Sequence, residues 1–88
     1  MDNKNFITLC KTKVADYFNE KADKSEEFIP MSPEEVFVVW SCKTLQNNKA
    51  LLSTTAADGM YYELTYNGDK KELYFDVYKK WENRGIKL

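Results

Sequence analysis

Between Asn5 and Ala22 the apolar residues Phe6, Ile7, Cys10, Val14, Tyr17 and Phe18 recur at steps of three and four, while Asp16, Asn19 and Glu20 fall elsewhere. That spacing predicts an amphipathic helix with a single apolar stripe. Lys11, Lys13, Asp16 and Glu20 make its solvated flank, and Leu9 falls off the stripe. Asp23 to Met31 has no clean period and reads as a connector. Ser32-Pro33-Glu34-Glu35 has the form of a helix start, with Ser as cap, Pro at the first position and Glu35 placed to reach back to the Ser32 amide. The run Val36-Phe37-Val38-Val39-Trp40 is β-branched and aromatic, so a single turn followed by a strand to about Leu45 is expected.

From there the period is two. Gln46-Asn47-Asn48 reads as a polar turn, Lys49 to Thr55 as a second strand, and Ala56-Ala57-Asp58-Gly59 as a turn in which Gly59 supplies positive φ. Met60 to Tyr66 is the third strand, with Met60, Tyr62 and Leu64 on one face and Tyr61, Glu63 and Thr65 on the other. Asn67-Gly68-Asp69-Lys70 then closes a hairpin. A two-residue Asn-Gly turn would set Glu63 against Glu72, a like-charge pair, so the preferred register is a four-residue loop pairing Leu64 with Leu73, Tyr62 with Phe75 and Met60 with Val77. Either register keeps the same residues inward. The last segment has a competitor. Asp69 and Glu72 form a possible capping box, and Leu73, Tyr74, Val77, Tyr78 and Trp81 fit a helical face ending at Gly85. A strand is preferred, because Leu-Tyr-Phe-Asp-Val-Tyr is rich in strand formers and a helix would leave Phe75 near its polar side.

The expected architecture is α+β, an N-terminal helix packed on a four-stranded antiparallel meander, with three strands and a C-terminal helix as the alternative. One helix can cover only one sheet face, so Tyr61, Tyr74 and Tyr78 project from the other. Lys79 to Leu88 is expected to be helical or irregular. At 88 residues the chain reads as a single domain, 1–88, and with 43% hydrophobic and 15% aromatic residues much of its thin core must come from rings.

Thirteen Lys and Arg against fourteen Asp and Glu argue against a globally basic nucleic-acid binder and against an acidic DNA mimic. No stretch reaches the roughly 20 apolar residues of a membrane span, and Met1-Asp2-Asn3-Lys4 lacks the apolar run of a signal peptide, so a cytoplasmic protein is expected. Cys10 and Cys42 form no CxxC pattern and are expected to be buried as small hydrophobes.

The chain contains no histidine, which removes the usual general base near neutral pH and the commonest metal ligand. No cofactor or metal is expected, and the reading is non-enzymatic. Ser53, Thr54 and Thr55 beside Asp58 suit turn formation better than catalysis. Glu26-Glu27 and Glu34-Glu35 lack a calcium-loop pattern, and Asn67-Gly68-Asp69-Lys70 is turn chemistry before it is a phosphate nest. The sharpest positive feature is the outward aromatics beside Lys70, Lys71, Lys79, Lys80, Arg84 and Lys87. Such a platform suits a protein interface or stacked unpaired bases. The candidate partner-binding residues are Tyr61, Tyr74, Tyr78, Trp81, Lys79 and Lys80.

Val36 to Asn47, Lys49 to Thr54, Asp58 to Glu63, and Tyr66-Asn67-Gly68-Asp69-Lys70 through Tyr78-Lys79-Lys80-Trp81-Glu82-Asn83 resemble an uncharacterised family of small proteins carried by phages and prophages of Gram-positive bacteria. That resemblance brings no activity and no functional residues. It implies context, a small accessory protein of a mobile element, among which inhibitors of host defence are common. The leading expectation is therefore a protein that binds and inhibits a host or defence protein, such as a CRISPR-type nuclease, through the tyrosine face. Single-stranded nucleic-acid binding and self-association as a homodimer are the alternatives, with no role at a membrane.

Overall fold

The computed structural model describes residues 1–24 and 28–88. Helix α1 spans Asn3–Lys21, a 3-10 turn spans Pro33–Glu35, and four strands follow: β1 Val36–Thr44, β2 Asn47–Thr54, β3 Met60–Asn67 and β4 Glu72–Lys79. The strands form one antiparallel sheet in the order β1-β2-β3-β4. This is the expected α+β meander. The helical alternative for the last segment is overturned, since Glu72–Lys79 pairs residue for residue with β3.

Asp2 starts α1 by accepting the Asn5 N–H on its carboxylate at 2.7 Å, a cap worth about 1 kcal/mol. The stripe of Phe6, Cys10 and Val14, joined by Ala15, is buried. It lies on the sheet face made by Val36, Ala50, Leu52, Tyr62 and Leu64. Farther along the helix, Tyr17 packs on Tyr62 and Phe75 with ring centroids 5.8 and 5.3 Å apart. Asn19 is no idle flank residue. Its amide donates to the Met31 carbonyl at 3.0 Å and accepts the Met31 N–H at 2.7 Å, tying the return of the chain to the helix and burying Met31. The Ser32 turn forms as expected, with its N–H donating to the Glu35 carboxylate at 2.9 Å. Glu26-Glu27 and part of the connector lie outside the described residues.

Three expectations need correction. The first turn of the sheet is Leu45-Gln46, with Leu45 at φ 55°, and Asn47 and Asn48 belong to β2. Asn48 alternates inward with Ala50 and Leu52 and is buried, and neither polar atom of its amide has a hydrogen-bond partner. The β3–β4 register is neither of the two considered: Leu64 pairs with Phe75, Tyr62 with Val77 and Met60 with Lys79. Its loop is Gly68 to Lys71, because the Asn67 side chain accepts the Asp69 and Lys70 N–H groups at 3.1 and 3.2 Å and Lys71 takes up the left-handed conformation at φ 53°. The slip is two residues, so the inward set is unchanged.

The third correction has its cause in β1. The pairing of β1 with β2 shifts between Val38 and Trp40, a bulge that adds a residue and reverses the alternation. Val36 and Val38 face the helix, whereas Trp40 pairs with Leu51 and Cys42 with Lys49 on the opposite face. Cys42 is therefore exposed, against expectation, while Cys10 is buried as expected.

At the far end of the sheet the two hairpin tips lie against each other. Gln46 donates its amide to Asp69 at 2.7 Å, and Asn47 accepts the Gly68 N–H at 3.1 Å. A Cβ on Gly68 would stand 2.2 Å from the Gln46 carbonyl oxygen, so glycine is required there by proximity. Gly59, by contrast, is required by its φ of +70°.

Candidate functional site

The sheet face away from α1 carries no covering element among the described residues. Antiparallel pairing arranges its side chains in transverse rows. One row runs Trp40, Leu51, Glu63, Asp76 and the next Cys42, Lys49, Thr65, Tyr74. Toward the other end, Phe37 pairs with Ser53 and Tyr61 with Tyr78. The β1 side of the face is aliphatic and aromatic, with Phe37 49%, Val39 46% and Trp40 42% exposed, and the β4 side is phenolic, with Tyr74 43% and Tyr78 51% exposed.

Charge occupies the middle. Lys49 and Glu63 stand 3.5 Å apart across β2 and β3, both partly exposed. Glu63 also lies opposite Asp76. The Tyr74 hydroxyl donates to the Glu72 carboxylate at 2.5 Å, and this hydrogen bond raises the phenol's pKa. Lys80 places its ammonium 5.9 Å from the centre of the Tyr61 ring. Leu51, Tyr61, Glu63, Tyr78, Lys79 and Lys80 border a shallow depression of about 350 Å³.

Of the candidate residues, the structure brings Tyr61, Tyr78 and Lys80 together and sets Tyr74 farther along the same face. Lys79 pairs with Met60, on the helix side of the alternation, and still borders the depression beside Tyr61 and Tyr78. Trp81 lies past the end of β4 in a segment without regular secondary structure and is 97% exposed. Sequence reasoning missed Phe37, Val39, Trp40 and Leu51. A signal was available: five successive apolar residues in one strand are more than a single pleated face can take.

The other candidate clusters are engaged locally. Ser53 donates its hydroxyl to the Met60 carbonyl at 2.8 Å, Thr54 Oγ1 accepts the Ala56 N–H at 3.2 Å, and Asp58 accepts the Met60 N–H at 3.1 Å. These are turn contacts. In the Gly68–Lys71 loop the amides of Asp69 and Lys70 are taken by Asn67 and that of Gly68 by Asn47, so the nest reading loses its donors. Among the described residues no group of three or more Cys, Asp or Glu is placed to hold a metal, and no helix is long and apolar enough to cross a membrane.

The chain belongs to a family of unknown function, DUF6275, whose model matches residues 7–88. The match includes the strands that carried the resemblance noted above and adds the helix from Ile7. No curated protein and no solved structure matches the chain.

Proposed function

We propose that this member of DUF6275 is a non-enzymatic binding protein that docks a partner protein on its open sheet face. One observation carries the reading. Phe37, Val39, Trp40, Leu51, Tyr61, Tyr74 and Tyr78 lie on one side of a single sheet, and five of the seven are exposed. Large rings around a few charges are the composition of interface hot spots, whereas scattered single apolar residues would need no explanation. The acidic groups support a protein over a nucleic acid. Glu63, Glu72 and Asp76 stand among the phenols, where a bound strand would place its phosphates, and Lys49 is engaged with Glu63.

The resemblance to phage and prophage proteins of Gram-positive bacteria gives the reading its biological form, a mobile-element accessory protein that occupies and inhibits a host or defence protein in the bacterial cytoplasm. The test is capture from a lysogenic or infected host by the native chain and by a variant with Tyr61, Tyr74 and Tyr78 all replaced by Ser. The variant is expected to keep its circular dichroism spectrum and lose the captured protein. Equal capture by both overturns the proposal.

A further inference from the structure

We propose that β4 is a dimerisation edge: β4 of one copy pairs antiparallel with β4 of a second across a twofold axis at Phe75, joining two four-stranded sheets into one of eight. The inference does not rest on the partner-docking reading, since it concerns the rim of the sheet and is tested with the purified chain alone.

The two rims differ. β1 is interrupted by its bulge between Val38 and Trp40, a device that turns an edge away from further pairing. β4 has no proline and no bulge, and its eight residues pair with β3 without a break. The hydrogen-bonding phase of its free side follows from one contact. The Lys80 N–H donates to the Gly59 carbonyl at 2.7 Å, and the same register continues from Met60–Lys79 to Asn67–Glu72. Because bonded and non-bonded pairs alternate in an antiparallel ladder, Glu72, Tyr74, Asp76 and Tyr78 bond to β3, and Leu73, Phe75, Val77 and Lys79 turn their N–H and C=O groups outward. Those outward groups belong to the residues whose side chains face α1. Leu73, Phe75 and Val77 are only partly buried, and a groove of about 480 Å³ runs between β4 and the helix residues Lys13, Asp16, Tyr17 and Glu20.

One register keeps like charges apart along Glu72 to Tyr78, and at its two ends it brings Lys79 of each copy opposite Lys71 of the other. With Phe75 opposite Phe75 of the second copy, Leu73 meets Val77 and Val77 meets Leu73, and all three pairs present edge-directed amides to each other. On the outer face Tyr74 meets Asp76 and Glu72 meets Tyr78. A shift of two residues either way puts Asp76 against Asp76 or Glu72 against Asp76, like-charge pairs that destabilise a ladder. The helices agree with this choice. Tyr17 sits on Phe75, and the next turn, Phe18, Lys21 and Ala22, borders a cavity with Met60, the partner of Lys79, so α1 runs in the same sense as β4. The twofold axis therefore places Lys13 of one copy on the side of Glu20 of the other, with the two Asp16 carboxylates nearest the axis. An isologous twofold contact sets one patch against its own copy, so each such pair occurs twice.

The experiment reads association and register separately. Light scattering over a dilution series is expected to give a dimer that dissociates on dilution. Tyr74→Asp sets an acid against Asp76 of the other copy twice and should weaken the dimer at least about tenfold. The double variant Tyr74→Asp with Asp76→Lys converts both pairs to attractive ones and should restore it. In a Cys42→Ser background, Tyr74→Cys and Asp76→Cys chains should form a disulfide when mixed under mild oxidation, and neither should cross-link with itself. A monomer at every soluble concentration overturns the proposal, as does a dimer with no mixed cross-link, or self-cross-linking of either chain as efficient as the mixed reaction.

Discussion

Tyr61 and Tyr62 are neighbours in one strand, yet they belong to different parts of the molecule. Tyr62 is 2% exposed and packs against Tyr17 and Phe75, its phenol pKa raised by burial and then by the nearby Asp58. Tyr61 is half-buried on the open face beneath the Lys80 ammonium. The same side chain serves as core on one side of the sheet and as accessible surface on the other, and the pleat alone decides which. The helix-covered face should thus hold the stability and the open face should hold little of it.

The sharpest way to break that contrast is to truncate one residue on each side. Leu64→Ala leaves a void under α1 and is expected to cost about 2–5 kcal/mol in chemical denaturation, whereas Trp40→Ser on the open face should cost about 1 kcal/mol or less, near the full span of strand preference. Comparable losses at both positions would mean that the open face is covered in solution.

The two cysteines divide along the same line. Burial pushes the Cys10 thiol up to about 12 from its ordinary 9.0, while Cys42 is exposed. Because the folded pKa lies above the unfolded one, the contribution of Cys10 to stability is complete below about pH 9 and is lost as pH rises toward 12. A thiol reagent at mildly alkaline pH should modify Cys42 at once and Cys10 only when denaturant is added. Prompt modification of both would place Cys10 outside the core.

Among the described residues, Asn48 is the one buried side-chain amide on the covered side with both atoms unpartnered. Asn48→Val removes that burden and suits a strand, and it is expected to raise stability by about 1–3 kcal/mol, measured as a shift in denaturation midpoint. The smallest change expected is at the helix start, where Asp2→Ala removes the cap on Asn5 and should cost about 1 kcal/mol.

Much of this division was legible in the sequence. The i, i+3, i+4 spacing of Phe6, Cys10 and Val14 and the alternation from Met60 onward specify which residues are covered, because each pattern admits one face. The bulge was not legible, since Val36 to Trp40 is apolar throughout and offers no alternation from which a phase could be read. Cys42 followed it to the wrong side. The hairpin register escaped for a different reason. Candidate pairings two residues apart bury the same side chains, so the choice fell to Asn67 capturing two loop amides and to Lys71 accepting a left-handed conformation. Asn48 was read as part of a turn because polarity there mimics a loop. The tyrosine half of the candidate site was therefore visible in advance, and its β1 half was hidden by one extra residue.

Hairpin ends ordinarily fray, and their amides exchange with solvent early. Here Gly68 is seated against the Gln46 carbonyl with a side-chain hydrogen bond on either hand. The two tips are thereby clasped into one cooperative unit, and deuterium should enter the Gly68 amide on the slow timescale of the sheet interior.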